Sequence, residues 1–63
     1  MTRAFKFELN ARVIEMHGDR RGCVRDSRKY EPWKGDAAIN IYLIQWFCGG
    51  VDWVWEDELA LDQ

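Results

Sequence analysis

The stretch Ile39-Asn40-Ile41-Tyr42-Leu43-Ile44-Gln45-Trp46-Phe47 constrains the fold more than any other part of the chain. In an extended conformation Ile39, Ile41 and Leu43 fall on one side and Tyr42, Ile44 and Trp46 on the other, and β-branched and aromatic residues at this density favour a pleated surface. Both sides are apolar, so the segment is expected to be a central strand. Cys48-Gly49-Gly50 follows as a tight turn, and Val51 to Trp55 reads as an antiparallel strand returning along it, a pairing expected to bring Trp46 near Trp53. No window of a dozen residues keeps an i, i+3, i+4, i+7 apolar pattern free of Gly, which argues against a helical fold.

The remaining segments extend the same pattern. Phe5 to Glu8 alternates and leads into Ala11 to Met16 as a first strand, with Ala11 and Val13 on one side and Arg12, Ile14 and Met16 on the other. His17-Gly18-Asp19-Arg20-Arg21-Gly22 has the composition of a hairpin loop with positive φ at a glycine. Cys23 to Asp26, extending toward Tyr30, forms a second strand, and Glu31-Pro32-Trp33-Lys34-Gly35-Asp36 a long exposed connection. Glu56 to Leu59 is too short for a stable helix and suits one 3₁₀ turn, after which Ala60 to Asp62 is placed as a closing strand. Short strands at tight spacing predict an all-β fold: a small five-stranded barrel, closed so that no strand edge is left unpaired, with the 3₁₀ turn before the last strand.

With 63 residues the chain has room for one domain, residues 1–63. A chain of this length buries only about 60% of its unfolded surface, so it needs a core dense in large side chains; four Trp, three Phe and two Tyr meet that need. Cores of this size are often completed by a partner subunit, which makes a homo-oligomer one expected state. Cys23 and Cys48 are too few for a disulfide framework and are expected as reduced thiols packed as small hydrophobes. The N-terminal run alternates charged with apolar residues, so neither a signal peptide nor a membrane span is expected and the protein is placed in the cytoplasm. A net charge of −2 lacks the basic excess of a general nucleic-acid binder.

The order F-x-L-x-A-R-V, M-H-G-D-R-R-G-C-V, Y-L-I-Q-W and D-W-V-W-E-D-E-L, spanning most of residues 5–61, resembles the chromo-barrel and Tudor-like families of SH3-like barrels. In those families an aromatic residue ends the third strand and a W-V-P-E-like segment opens the 3₁₀ turn. Trp46 and Trp53-Val54-Trp55-Glu56 stand in those places, with Trp55 where the families carry Pro and a shortened turn from Phe47 to Asp52. The resemblance implies an aromatic cage for a methylated lysine built from His17, Trp46 and Trp53, with Tyr42 or Trp55 added; ring faces attract such cations by ~0.5–2 kcal/mol each. The competing reading is that these rings are the hydrophobic core itself, since each aromatic buries about 150–250 Å².

Three function classes remain open at this point. The leading one is a non-catalytic protein-binding module using Trp46, Trp53, Trp55, Tyr42, His17 and Trp33, because interface hot spots favour Trp, Tyr and Arg. A second is a nucleic-acid-binding barrel in which Arg20, Arg21, Arg25, Arg28 and Lys29 meet phosphates and Tyr30 and Trp33 stack on bases. The acidic end, with Asp52, Glu56, Asp57, Glu58 and Asp62, opposes it and suggests a protein partner docking charge to charge. The third is a small regulator or inhibitor seated on a larger enzyme. Catalysis is not expected: there is one His, no nucleophile with an evident base beside it, and no G-x-S-x-G, P-loop or H-E-x-x-H pattern. His17, Cys23 and Cys48 lack CxxC spacing, so no metal is expected, and no cofactor.

Overall fold

A computed structural model describes residues 4–35 and 37–62. Five strands, β1 (Arg12–Glu15), β2 (Arg21–Tyr30), β3 (Ile39–Trp46), β4 (Val51–Trp55) and β5 (Leu59–Leu61), form one antiparallel sheet in the order β4-β3-β2-β1-β5. A 3₁₀ turn at Glu56–Glu58 joins β4 to β5. The fold is all-β as expected, and β4 spans the residues anticipated for it. β3 lies inside the sheet, between β2 and β4.

The expected closure is not formed. β5 is three residues long and pairs only with β1, while β4 pairs only with β3, so the sheet is curled but open. The curl follows from the core: Val54 on one edge strand and Leu59 on the other belong to one cluster with Phe7, Val13, Val24, Tyr42, Ile44 and Trp46. Removing this much apolar surface from water, at about 25 cal/mol per Å², is the main force folding the sheet over on itself.

Four local features differ from the sequence expectation, each for a steric or hydrogen-bonding reason. Phe5 to Glu8 is not a strand; it is an arm that lays Phe7 into the core, 2% exposed. Asn10, at φ 69°, turns the chain from that arm into β1, and its N–H donates to the Val24 carbonyl at 2.7 Å. Asn tolerates this left-handed conformation better than most residues. Gly18 and Gly22 do not supply positive φ, which among the glycines occurs at Gly35, Gly49 and Gly50. Gly22 lies within β2, where a Cβ would come within 2.4 Å of the Gln45 carbonyl oxygen and 2.8 Å of Ile44 Cγ2. It is there because two strands pass too close for any side chain.

The fourth feature is a β-bulge. β2 pairs with β3 in register up to Val24↔Ile44 and resumes at Asp26↔Leu43, leaving Arg25 as the extra residue. Such an insertion reverses which face the following residues occupy. Gly22 and Val24 therefore share the core face with Ser27 and Lys29, while Cys23, Asp26, Arg28 and Tyr30 share the outer face. In the connection after β2, Trp33 stands 75% exposed; Asp36 lies outside the described residues.

Candidate functional site

The two faces of β3 divide the aromatic residues into separate groups. Asn40, Tyr42, Ile44 and Trp46 point inward and are buried. Ile39, Ile41 and Leu43 point outward and are half-buried, with Gln45 exposed beside them. Because β3 and β4 pair Leu43 with Trp53 and Ile41 with Trp55, both β4 tryptophans join the outer face. The Trp46 N–H donates to the Gly50 carbonyl at 3.0 Å, so even-numbered residues pair with even-numbered ones throughout the hairpin. Trp46 and Trp53 consequently lie on opposite faces, which corrects the expectation that the hairpin brings them together.

The proposed cage is not assembled. Tyr42 is 0% and Trp46 2% exposed, so neither ring is offered to a partner in this fold. Trp46 donates its indole N–H to Asp52 Oδ2 at 2.9 Å, and the guanidinium of Arg20 lies 4.2 Å from its ring centroid. The chain's own cation thus covers the ring face that a methylated ammonium would need. Arg20 is held there by Glu15 at 2.7 Å and Asp52 at 3.4 Å. Its hydrogen bond keeps the Glu15 carboxyl below the usual carboxylate range and raises the guanidinium in return. His17 is exposed in the β1–β2 turn.

Tyr42 serves the core in a second way. Its hydroxyl accepts the Lys6 N–H at 3.0 Å and the Phe7 N–H at 3.3 Å and donates to Glu56 Oε2. The same Glu56 oxygen accepts from Asn40 Nδ2 at 2.8 Å and from the Lys6 N–H at 3.2 Å, and Asn40 Nδ2 also reaches the Ala4 carbonyl at 3.0 Å. Lys29 Nζ donates to Asn40 Oδ1 and lies 4.4 Å from the Phe5 centroid. This polar lock ties the N-terminal arm to β3 and to the 3₁₀ turn. Burial, reinforced by the neighbouring Glu56 carboxylate, raises the Tyr42 hydroxyl above its ordinary value.

The outer face is where apolar surface meets water. Across β4, β3 and β2 the rows read Trp55–Ile41–Arg28 and Trp53–Leu43–Asp26, with Ile39 beside Tyr30 at the end. Trp53 is 43% and Trp55 51% exposed; together the two rings leave roughly 150–250 Å² in water. The Arg28 guanidinium lies 5.3 Å from the Trp53 centroid and 3.7 Å from Asp26, placing one charged pair on an otherwise apolar surface. At one end, Ile39, Asn40, Trp55, Glu56 and Asp57 line a shallow pocket of about 70 Å³, far below the ~300–1,000 Å³ of a typical small-molecule site. Ile39, Ile41 and Leu43 were not among the binding residues expected from sequence, and Tyr30 was expected only as a ring stacking on bases. The alternation that set them opposite Tyr42 was the signal that could have found them.

The five basic residues do not form one surface. Arg20 and Arg21 pair with carboxylates, Arg21 with Asp62 at 3.4 Å, Arg28 stacks on Trp53, Lys29 turns to Asn40, and Arg25 stands exposed at the bulge. Both cysteines are free thiols, Cys23 half-buried and Cys48 exposed in the β3–β4 turn, so the expectation that both are packed does not hold for Cys48. Among the described residues there is no cluster of three or more His, Cys, Asp or Glu able to hold a metal, and no helix long and apolar enough to cross a membrane. A scan against protein-family models, a search of curated proteins and a search of solved structures each find no match.

Proposed function

We propose that this chain is a non-catalytic protein-interaction module that docks a partner on the outer face of β2, β3 and β4. The observation that carries this reading is the continuous row of Trp53, Trp55, Ile39, Ile41, Leu43 and Tyr30, half-buried or exposed on one side of a sheet whose other side already holds a complete core. Contiguous exposed apolar patches of this kind on a small domain mark interaction sites. Trp53 and Trp55 serve as anchors, and Arg28 with Asp26 sets orientation. Trp46 and Tyr42 have no contact role in this reading, while His17 and Trp33 lie in exposed connections outside the three strands that carry the row. A small regulator seated on a larger enzyme would use the same face.

The architecture is read as an open variant of the SH3-like barrel of the Tudor and chromo-barrel kind, supported by five antiparallel strands and the 3₁₀ turn before the last. A cage for methylated lysine is not part of this proposal. The nucleic-acid reading has less support, because four of the five cations already have carboxylate or amide partners and they divide between the two faces.

The test is capture of partners from an extract of the cell that makes the protein, comparing the wild type with a Tyr30→Lys, Leu43→Lys double variant. Both positions lie on the outer face and away from the β4 edge. A specific partner retained by the wild type and lost by a variant with an unchanged circular-dichroism spectrum is the expected result. Equal capture by both chains overturns the reading.

A further inference from the structure

We infer that two copies of this chain pair through the open edge of β4, antiparallel and centred on Trp53, to make one continuous ten-stranded sheet. Hydrogen bonding alternates along an antiparallel ladder. With the Trp46 N–H on the Gly50 carbonyl and pairing at Ile44↔Asp52 and Tyr42↔Val54, the main-chain groups of residues 50, 52 and 54 face β3. Val51, Trp53 and Trp55 therefore turn their N–H and C=O groups to the edge. Among the described residues no other strand pairs there. The strand has no proline, no lysine and no bulge, and its one charged residue, Asp52, is on the face away from Trp53 and Trp55.

The occupant is a second copy because the strand is complementary to itself. A two-fold axis through Trp53 sets Trp53 against Trp53, Val51 against Trp55 and Asp52 against Val54, so all outward contacts are apolar and no like charges are opposed. An interface built on one five-residue strand falls below the ~1,200 Å² of stable complexes, so the dimer is weak and forms in the micromolar range or above.

The pairing sets the two outer faces side by side and leaves both open, so it goes beyond the docking reading and stands or falls separately from it. Sedimentation velocity of the wild-type chain from about 5 to 500 μM is expected to show a reversible monomer–dimer shift. Trp53→Lys should abolish the shift while Trp33→Lys leaves it unchanged. Amide exchange of the unmodified protein guards against variants that misfold: Val51, Trp53 and Trp55 should gain protection as concentration rises. A chain that is monomeric throughout, a dimer indifferent to Trp53→Lys, or unchanged edge-amide protection each overturn the inference, whether or not a partner binds the outer face.

Discussion

Trp46 and Trp53 are seven positions apart and come from the same hairpin, yet the sheet treats them oppositely. Trp46 is enclosed, with its N–H bonded to Asp52 and its ring beneath Arg20; Trp53 keeps nearly half its surface in water, with Arg28 beside it. Both rings have a cation nearby, so the cation does not distinguish them. What differs is the parity of their position in the hairpin, which sends one toward the core and the other toward solvent. An abundance of tryptophan in a small domain therefore indicates neither core nor binding surface until the register is known.

The contrast can be broken most forcefully at Trp46. Truncation of a buried Trp leaves a cavity costing about 3–5 kcal/mol, a large part of the stability of so small a domain. Trp46→Ala is expected to be largely unfolded by circular dichroism, whereas Trp53→Ala should lower the unfolding free energy from urea titration by less than about 1 kcal/mol. Equal losses at the two sites would remove the distinction. Next in size is Gly22→Ala, whose new methyl would press on the Gln45 carbonyl and Ile44; overpacking of this kind costs about 1–3 kcal/mol in denaturant titrations.

The polar lock sharpens the comparison from the core side. Tyr42→Phe removes one hydroxyl that serves two backbone N–H groups and Glu56, and an expected loss of about 1–3 kcal/mol should be accompanied by faster amide exchange at Lys6 and Phe7. Because the folded state raises the Tyr42 pKa, its stabilisation is fully present below the unfolded value, near 10, and is lost as pH rises through the folded value. Stability should accordingly fall above about pH 10, less steeply in Tyr42→Phe. The smallest effect is expected at Glu15, an exposed carboxylate whose pKa is lowered by Arg20. Its contribution is present above the ordinary value of 4.5 and disappears as pH falls through the folded value; Glu15→Gln should give a slight decrease in thermal midpoint that high salt abolishes.

The strands were legible because apolar alternation and glycine placement are local signals. Ile39 to Phe47, the Gly49-Gly50 turn and Val51 to Trp55 could be placed without reference to the rest of the chain. What could not be read depended on distant partners. The arm at Phe5 to Glu8 alternates like a strand, but its backbone is claimed by Tyr42 and Glu56, 35 to 50 residues away in sequence. Gly22 has the composition of a loop residue, and only the close passage of Gln45 shows why it belongs in a strand. Of the expected contact residues, Trp53 and Trp55 lie on the outer face, while Tyr42 and Trp46 were misread because composition carries no register.

The bulge at Arg25 has a consequence for how this chain tolerates length changes. Loss of Arg25 would place Asp26 directly after Val24, still opposite Leu43, so Asp26, Arg28 and Tyr30 would stay outside and Ser27 and Lys29 inside. A one-residue deletion in the regular stretch from Ser27 to Tyr30 has no such slack and would exchange the faces of the residues beyond it. The outer face is thus indifferent to the presence of the bulge residue and sensitive to the length of the strand that follows it.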